Sequence, residues 1–131
     1  MDNFKVLIVD DSLMVRTAVR VALSGAGYQI VEAVDGEEGR QAIQESRDLS
    51  LVICDVNMPR MDGLRMLELV KADGANAELP VLMLSTEGDP SMIRRARDAG
   101  AAGWIVKPFQ PAVVLGVIRR FVRDGAARSA K

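Results

Sequence analysis

The sequence predicts an α/β fold in which parallel strands alternate with helices. Short runs rich in valine, isoleucine and leucine recur along the chain, and segments with helical periodicity separate them. Near-continuous apolar strands suit a parallel sheet that is covered by helices on both faces. Polar residues directly follow several of the apolar runs. Because such sheets open into a crevice at the carboxyl ends of their strands, function is expected there.

Five predicted strands carry the apolar runs. The first and third are the most apolar, because residues 6–9 read VLIV and residues 51–54 read LVIC. These two strands are expected at the centre of the sheet. The full set covers residues 5–10, 28–33, 49–55, 80–85 and 103–106.

The first two helices are predicted from their patterns. Helix one has an apolar stripe at helical spacing, with Arg16 and Arg20 on the outward side and glycines beyond its end. The stripe consists of Val15, Ala18, Val19, Ala22 and Leu23. Helix two, over residues 37–45, contains Gly39, which weakens a helix by roughly 1 kcal/mol relative to alanine.

The last three helices are predicted from their start signals, an N-cap aspartate or a proline at the first helical position. Helix three is expected over residues 64–72, with a stop at Gly74. The start signals are Asp62 for helix three, Asp89 and Pro90 for helix four, and Pro111 for helix five.

Length and charge limit the function classes. A chain of 131 residues with 49% hydrophobic content forms one domain, which we place at residues 1–124. Residues 125–131 are small and polar, and we expect a flexible tail or the start of a linker. The net charge of -1 offers no basic excess, which argues against nucleic-acid binding.

The counts of cysteine and histidine restrict the chemistry further. With Cys54 as its one cysteine, the chain has no intrachain disulfide. No targeting peptide and no apolar run of about 18 residues is found, so we expect a cytoplasmic protein without a membrane segment. The chain has no histidine, which excludes an imidazole base, an imidazole metal ligand and a phosphohistidine.

Acidic, hydroxyl and ammonium groups follow four of the five predicted strands. They are Asp10 and Asp11 after the first, Asp55 at the end of the third, Ser85 and Thr86 at the fourth, and Lys107 after the fifth. Strand ends at one edge of a parallel sheet converge. Crowded carboxylates repel one another unless a divalent cation lies among them, and Mg²⁺ held by few carboxylates keeps positions free for phosphate oxygens. The sequence therefore predicts a site for Mg²⁺ and phosphate.

Each of these groups, taken alone, also has a structural interpretation. Asp10 and Asp11 are suited to capping helix one, and Asp55 either caps a turn or attacks phosphorus as a nucleophile. A single Lys107 is ordinarily a solvated surface residue, and Trp104 is ordinarily part of the core. We favour the phosphate site because the groups terminate strands one, three, four and five in turn.

Four stretches resemble the CheY-like receiver domain of bacterial two-component response regulators. They are VLIVDDS at 6–12, VICDVNMPRMDG at 52–63, LSTEGD at 84–89 and GAAGWIVKPF at 100–109. The resemblance covers residues 5–123. It implies a flavodoxin-like, doubly wound five-stranded parallel sheet of strand order 2-1-3-4-5 with five helices.

The resemblance also implies a role for each site residue. Asp55 corresponds to the phosphoacceptor. The implied Mg²⁺ ligands are Asp10, Asp11, Asp55 and the backbone carbonyl of Asn57. The implied phosphate contacts and switch residues are Ser85, Thr86, Lys107 and the aromatic Trp104, with a cis peptide before Pro108. Asn57 and Glu87 are implied to tune dephosphorylation.

The implied function is a phosphorylation-activated signalling switch. A sensor histidine kinase would donate the phosphoryl group, and the face of helix four, strand five and helix five would then bind a downstream protein. We expect chemotaxis or motility, with the flagellar motor switch as a candidate partner, a monomeric state and no nucleic-acid partner. The chain is expected to assist its own phosphorylation and dephosphorylation without being an enzyme in the usual sense.

Two alternatives stay open at this point. The chain could be a receiver domain cut from a multidomain regulator or hybrid kinase. It could also be an aspartyl-nucleophile phosphatase of the haloacid-dehalogenase type. That class places its nucleophile after the first strand and a second aspartate two residues later, whereas this chain has Asn57 there.

Overall fold

The residues that form the sheet are those that the sequence predicts. The structure is a computed structural model that describes residues 4–46, 48–58, 60–86 and 88–129, with only the backbone described for 122–129. The described strands are β1 Lys5–Val9, β2 Gln29–Ala33, β3 Leu51–Asp55, β4 Val81–Ser85 and β5 Gly103–Val106. They form one parallel sheet of order β2-β1-β3-β4-β5. The predicted fold class and strand order are confirmed.

Five helices alternate with the strands, and side-chain caps fix where four of them begin. They are α1 Leu13–Gly25, α2 Gly36–Glu45, α3 Gly63–Ala72, α4 Pro90–Asp98 and α5 Pro111–Ser129. The N-caps of α1 to α4 are Ser12, Asp35, Asp62 and Asp89. Each cap side chain accepts a hydrogen bond from a backbone amide of the first turn, which otherwise has no partner within the helix. A short 3₁₀ turn at Gly74–Asn76 follows α3.

Helix α5 is longer than predicted. It continues to Ser129 and so includes most of the segment that the sequence suggests is a tail. Alanine and arginine favour helix, no proline interrupts residues 125–129, and Gly125 costs the helix only about 1 kcal/mol relative to alanine. The domain boundary at residue 124 stays a prediction.

Among the residues that the structure describes, no helix is long and apolar enough to cross a membrane.

The core has two layers, one on each face of the sheet, and this explains the fully apolar strands. Along β1, Leu7 and Val9 pack into a cluster with residues of α2, α3 and α4, whereas Val6 and Ile8 pack into a cluster with residues of α1 and α5. All four side chains are fully buried. A strand covered on both faces needs apolar residues at every position.

The backbone comes into close contact where β3 passes into α3. The Gly63 amide donates to the Val56 carbonyl at 2.8 Å. A Cβ atom at Gly63 would lie 2.0 Å from the Asp55 carbonyl oxygen. This position therefore requires glycine, and it fixes the start of α3 directly against the end of β3.

We expect Gly63→Ala to lower the free energy of unfolding by about 2 kcal/mol or more, because either the strand end or the helix must move. The matched control is Gly116→Ala in α5, where an added Cβ meets nothing within 4 Å. The control should gain roughly 0.5–1 kcal/mol from helix propensity. Urea unfolding of both variants measures the difference, and equal effects at the two positions would contradict the close approach.

Candidate functional site

Three carboxylates meet at the carboxyl edge of the sheet. Asp55 is the last residue of β3, and Asp10 directly follows β1, in which Val9 pairs with Cys54. One oxygen each from Asp10, Asp11 and Asp55 lie within 4.8 Å of one another. Asp10 and Asp55 are buried and Asp11 is exposed, so the cluster opens to solvent on one side. The predicted convergence of the acidic residues is confirmed.

Lys107 connects two of these carboxylates. Its Nζ lies 2.9 Å from Oδ2 of Asp10 and 3.2 Å from Oδ1 of Asp55. The Lys107 side chain is 14% exposed. Its backbone amide donates to the Ser85 carbonyl at 2.7 Å, and the Lys107–Pro108 peptide bond is cis. The loop after β5 is thus attached to the end of β4, which directs the ammonium group to the acidic cluster.

The charges of the site shift two pKa values. Burial and the negative charge of Asp10 raise the pKa of Asp55, although Lys107 and the backbone amide of Asn57 partly oppose them. Burial lowers the pKa of Lys107, but its hydrogen bonds and ion pairs with Asp10 and Asp55 outweigh burial and raise it overall. Lys107 is therefore charged at neutral pH. Asp55 retains unfavourable electrostatic energy that an added cation would relieve.

The other predicted site residues lie around this cluster. Ser85 is buried at the end of β4, one residue beyond Leu84, which pairs with Asp55. Thr86 is exposed next to it. Asn57 is exposed, and its backbone amide donates to the Asp55 carboxylate.

Trp104 lies within β5, not at its end. It is half-buried, pairs with Met83 and packs against the core layer below α2, α3 and α4. Glu87, which the family resemblance implies as a residue that tunes dephosphorylation, lies outside the described residues.

Arg16 belongs to the site although the stripe of helix one places it outward. Its side chain is only 12% exposed. Nη1 donates to the Asp10 carbonyl at 2.6 Å, and Nε donates to Glu32 at 3.1 Å. Arg20 also contacts Glu32, at 3.1 Å. The sequence signal for this contact is Glu32, a charged residue within β2, because a partly buried carboxylate needs a cationic partner.

Asp10 is held at every polar atom. Its amide donates to the Ala33 carbonyl at 3.1 Å, and its carbonyl accepts from Arg16. Its carboxylate accepts from the Ser12 amide through Oδ1 and from Lys107 through Oδ2. The acidic cluster is therefore preorganised before any ligand binds.

Comparison with known proteins identifies the family. The model of the response regulator receiver domain matches residues 6–119, and the chain belongs to this family. Its members are signalling switches of two-component systems, which act between a histidine kinase and downstream targets, and they are not classical enzymes. The resemblance found in the sequence is confirmed.

Among its relatives, the chain is similar to chemotaxis protein CheY1 of Helicobacter pylori strain J99. The two are 39% identical over 111 residues, which cover 84% of this chain and 90% of CheY1. The structure of chemotaxis response regulator CheY4 of Vibrio cholerae superimposes with a TM-score of 0.86 at 38% identity, over 92% of this chain and 99% of CheY4. A further match is the CheX–CheY–BeF₃–Mg²⁺ complex of Borrelia burgdorferi, with a TM-score of 0.83 at 31% identity, covering 88% of this chain and 86% of that chain.

The raised pKa of Asp55 gives a pH-dependent prediction for the metal-free protein. The folded state holds the Asp55 proton more tightly than the unfolded state, in which the ordinary value is 3.8. The contribution of Asp55 to stability is therefore present below 3.8 and is lost as the pH rises through the raised folded value. Asp55→Asn cannot ionise, so above this window we expect it to be more stable than the wild type.

Urea unfolding in EDTA at several pH values between about 4 and 7 measures this difference across the titration range of a carboxyl group. Glu78→Gln in the loop before β4 is the control, because it makes the same change of net charge at an exposed position outside the helices. It should not reproduce the gain in stability. An Asp55→Asn variant that is less stable than the wild type at neutral pH would show that the attraction of Lys107 outweighs burial and the repulsion from Asp10.

Proposed function

We propose that this chain is a phosphorylation-activated signalling switch in which Asp55 accepts the phosphoryl group. The observation that carries the proposal is the contact of Lys107 with both Asp10 and Asp55 at the carboxyl edge of the sheet. The chain's membership of the response regulator receiver family also supports the proposal. The donor would be the phosphohistidine of a sensor histidine kinase.

In the proposed reaction, an oxygen of Asp55 attacks phosphorus in line with the departing nitrogen of the donor. The P–N bond breaks and a P–O bond forms, which leaves an acyl phosphate on Asp55. Lys107 acts as a fixed point charge on the phosphoryl oxygens, since an ammonium group needs no particular planar geometry. The Asn57 amide and the close packing of Gly63 hold the end of β3 in place. The chain therefore assists transfer through positioning and electrostatics.

The donor atoms of the cluster fit Mg²⁺. All three side chains supply carboxylate oxygens, which are the ligands that this hard cation prefers, and one of them is open to solvent. Asp10, Asp11 and Asp55 would hold the ion, with the Asn57 carbonyl as a further ligand. When bound, Mg²⁺ would neutralise part of the charge on the phosphoryl group.

Phosphorylation would add a multiply charged group to a crowded strand end and so favour a second conformation. Ser85 is the proposed switch hydroxyl. It ends β4, the strand next to β3, and its carbonyl accepts a hydrogen bond from the Lys107 backbone amide. Thr86 and Trp104 are the further proposed switch residues. Asn57 and Glu87 are proposed to set the lifetime of the acyl phosphate.

The proposed output is protein binding in chemotaxis or motility. The names of the relatives support this pathway. Among the side chains that the structure describes, the proposed binding face of α4, β5 and α5 exposes the large apolar side chains of Val106, at 48%, and Val113, at 50%. We propose a downstream protein of the flagellar motor switch as the partner, and a cytoplasmic, monomeric switch.

A small-molecule phosphodonor tests the phosphoacceptor directly. With acetyl phosphate and Mg²⁺, we expect the wild type to gain one phosphoryl group and Asp55→Asn to gain none, because the amide is not a nucleophile towards phosphorus. Intact-protein mass spectrometry measures the gain, and Asp98→Asn should behave as the wild type. Equal phosphorylation of the Asp55→Asn variant would place the acceptor elsewhere.

Replacing Lys107 should move metal binding and transfer in opposite directions. Lys107→Ala removes a cation from the acidic cluster, so Mg²⁺ should bind more tightly. The rate of phosphoryl transfer should nevertheless fall on the order of 10²-fold, because one positive charge that stabilises the transferring group is lost. Calorimetric Mg²⁺ titration and the time course of phosphorylation measure the two effects. A loss of Mg²⁺ affinity in Lys107→Ala would mean that the lysine supports the metal ligands instead of competing with the ion.

A further inference from the structure

Arg60, in the loop between β3 and α3, has an unusual backbone conformation. Its φ is 67°, in the left-handed region that residues with a Cβ seldom adopt. A non-glycine residue in this region costs about 1–3 kcal/mol and persists only where its surroundings hold it there. The loop also carries Asn57, so the contacts that hold Arg60 bear on the candidate site.

A buried carboxylate holds Arg60. Nε of Arg60 donates to Oδ2 of Asp35 at 2.8 Å, and Nη2 contacts the same oxygen. The Asp35 side chain is only 2% exposed. Its other oxygen, Oδ1, accepts from the Glu38 amide at 2.8 Å and caps α2. The Glu38 amide lowers the pKa of Asp35, burial opposes this, and the Arg60 guanidinium adds to the lowering.

This ion pair crosses the end of a strand. Strands β2 and β3 are not neighbours, because β1 lies between them. Asp35 follows β2 and Arg60 follows β3, so their contact spans the end of β1, where Asp10 lies.

A second contact lies beside the ion pair. The Gly36 amide donates to the Met61 carbonyl at 3.2 Å, and a Cβ atom at Gly36 would lie 2.4 Å from that oxygen. The base of the same loop is closed by the Gly63 amide and the Val56 carbonyl, 2.8 Å apart. The loop is thus fixed both at its base and at its tip, with Asn57 between the two.

We propose that Asp35 and Arg60 are positioning residues for the metal site. Their ion pair fixes the β3–α3 loop against the start of α2 and so orders the backbone at Asn57 before Mg²⁺ binds. This inference rests on the proposed function, since it assigns the pair to the same site.

The charge of Arg60 allows a test in which two explanations predict different results. Removing a cation from the loop that carries Asn57 leaves Mg²⁺ binding unchanged or strengthens it if only the loss of positive charge matters. Loss of an outer contact that orders a ligand weakens metal binding, by about tenfold or more. Arg60→Gly is a suitable variant because glycine adopts the left-handed conformation without strain, which offsets part of the cost of leaving the buried Asp35 carboxylate without its cation.

The experiment is a calorimetric titration of the full chain with MgCl₂, together with urea unfolding in EDTA. We expect Arg60→Gly to bind Mg²⁺ about tenfold more weakly, while urea unfolding shows a complete cooperative transition from a folded starting state. Arg60→Lys keeps the charge but lacks the planar fork, and it should recover part of the affinity. Arg40→Ala removes an exposed cation of α2 and should not weaken binding.

Asp35→Asn completes the test, because its amide oxygen still caps α2 while the ion pair is lost. Combined with Arg60→Gly, it should weaken Mg²⁺ binding no further than Arg60→Gly alone, since both changes break one contact. Mg²⁺ affinity of Arg60→Gly equal to or above that of the wild type would overturn the proposal. A failure of the proposed function gives a different outcome. In that case the wild type either does not bind Mg²⁺ or binds it with the same affinity as Asp55→Asn.

Discussion

The ion pairs of Lys107 with Asp10 and Asp55 are the interaction on which the site depends. The pair with Asp10 joins residues 97 positions apart in sequence, and both pairs connect strand ends from the centre and the edge of the sheet. Without the ammonium group, the two buried carboxylates of Asp10 and Asp55 would lose the cation that contacts both of them. Lys107 compensates this only in part, because the pKa of Asp55 is still raised. The remaining imbalance makes the crevice attractive to a divalent cation.

Two arginine–carboxylate ion pairs, one on each face of the sheet, support the residues around the acidic cluster. On the α1 face, Arg16 joins the Asp10 carbonyl to Glu32. On the opposite face, Arg60 joins the β3–α3 loop to Asp35. Each support uses a guanidinium group and a carboxylate that is not one of the three carboxylates of the acidic cluster. The reacting groups are thus held by neighbours that need not react, as preorganised electrostatic sites require.

Much of this arrangement could be predicted from the sequence, because it follows from local patterns. Apolar runs define strands, N-cap aspartates such as Asp62 and Asp89 define helix starts, and parallel strand ends converge. These rules lead to Asp10, Asp55 and Lys107 without knowledge of tertiary contacts. The strand order required the family resemblance, because periodicity does not determine which strands are neighbours.

The supports could not be predicted in this way. Arg16 faces outward on a helical wheel, and only the position of Glu32 on the neighbouring strand draws it to Asp10. Arg60 has a left-handed conformation and pairs with Asp35, which lies 25 positions earlier in the chain. The end of α5 does not follow from the sequence for another reason. Small polar residues fit both a tail and a helix, and propensity alone differs little between the two.

The most direct test of the account is a crystal structure of the chain with Mg²⁺ and beryllium fluoride, which forms a phosphoryl mimic on carboxylates. We expect the beryllium atom bonded to a carboxylate oxygen of Asp55, Mg²⁺ bound by Asp10, Asp11 and Asp55 with the Asn57 carbonyl, and Lys107 Nζ moved towards a fluorine atom. Beryllium fluoride on Asp10 or Asp11, or Mg²⁺ bound away from these three carboxylates, would contradict the assignment of the site.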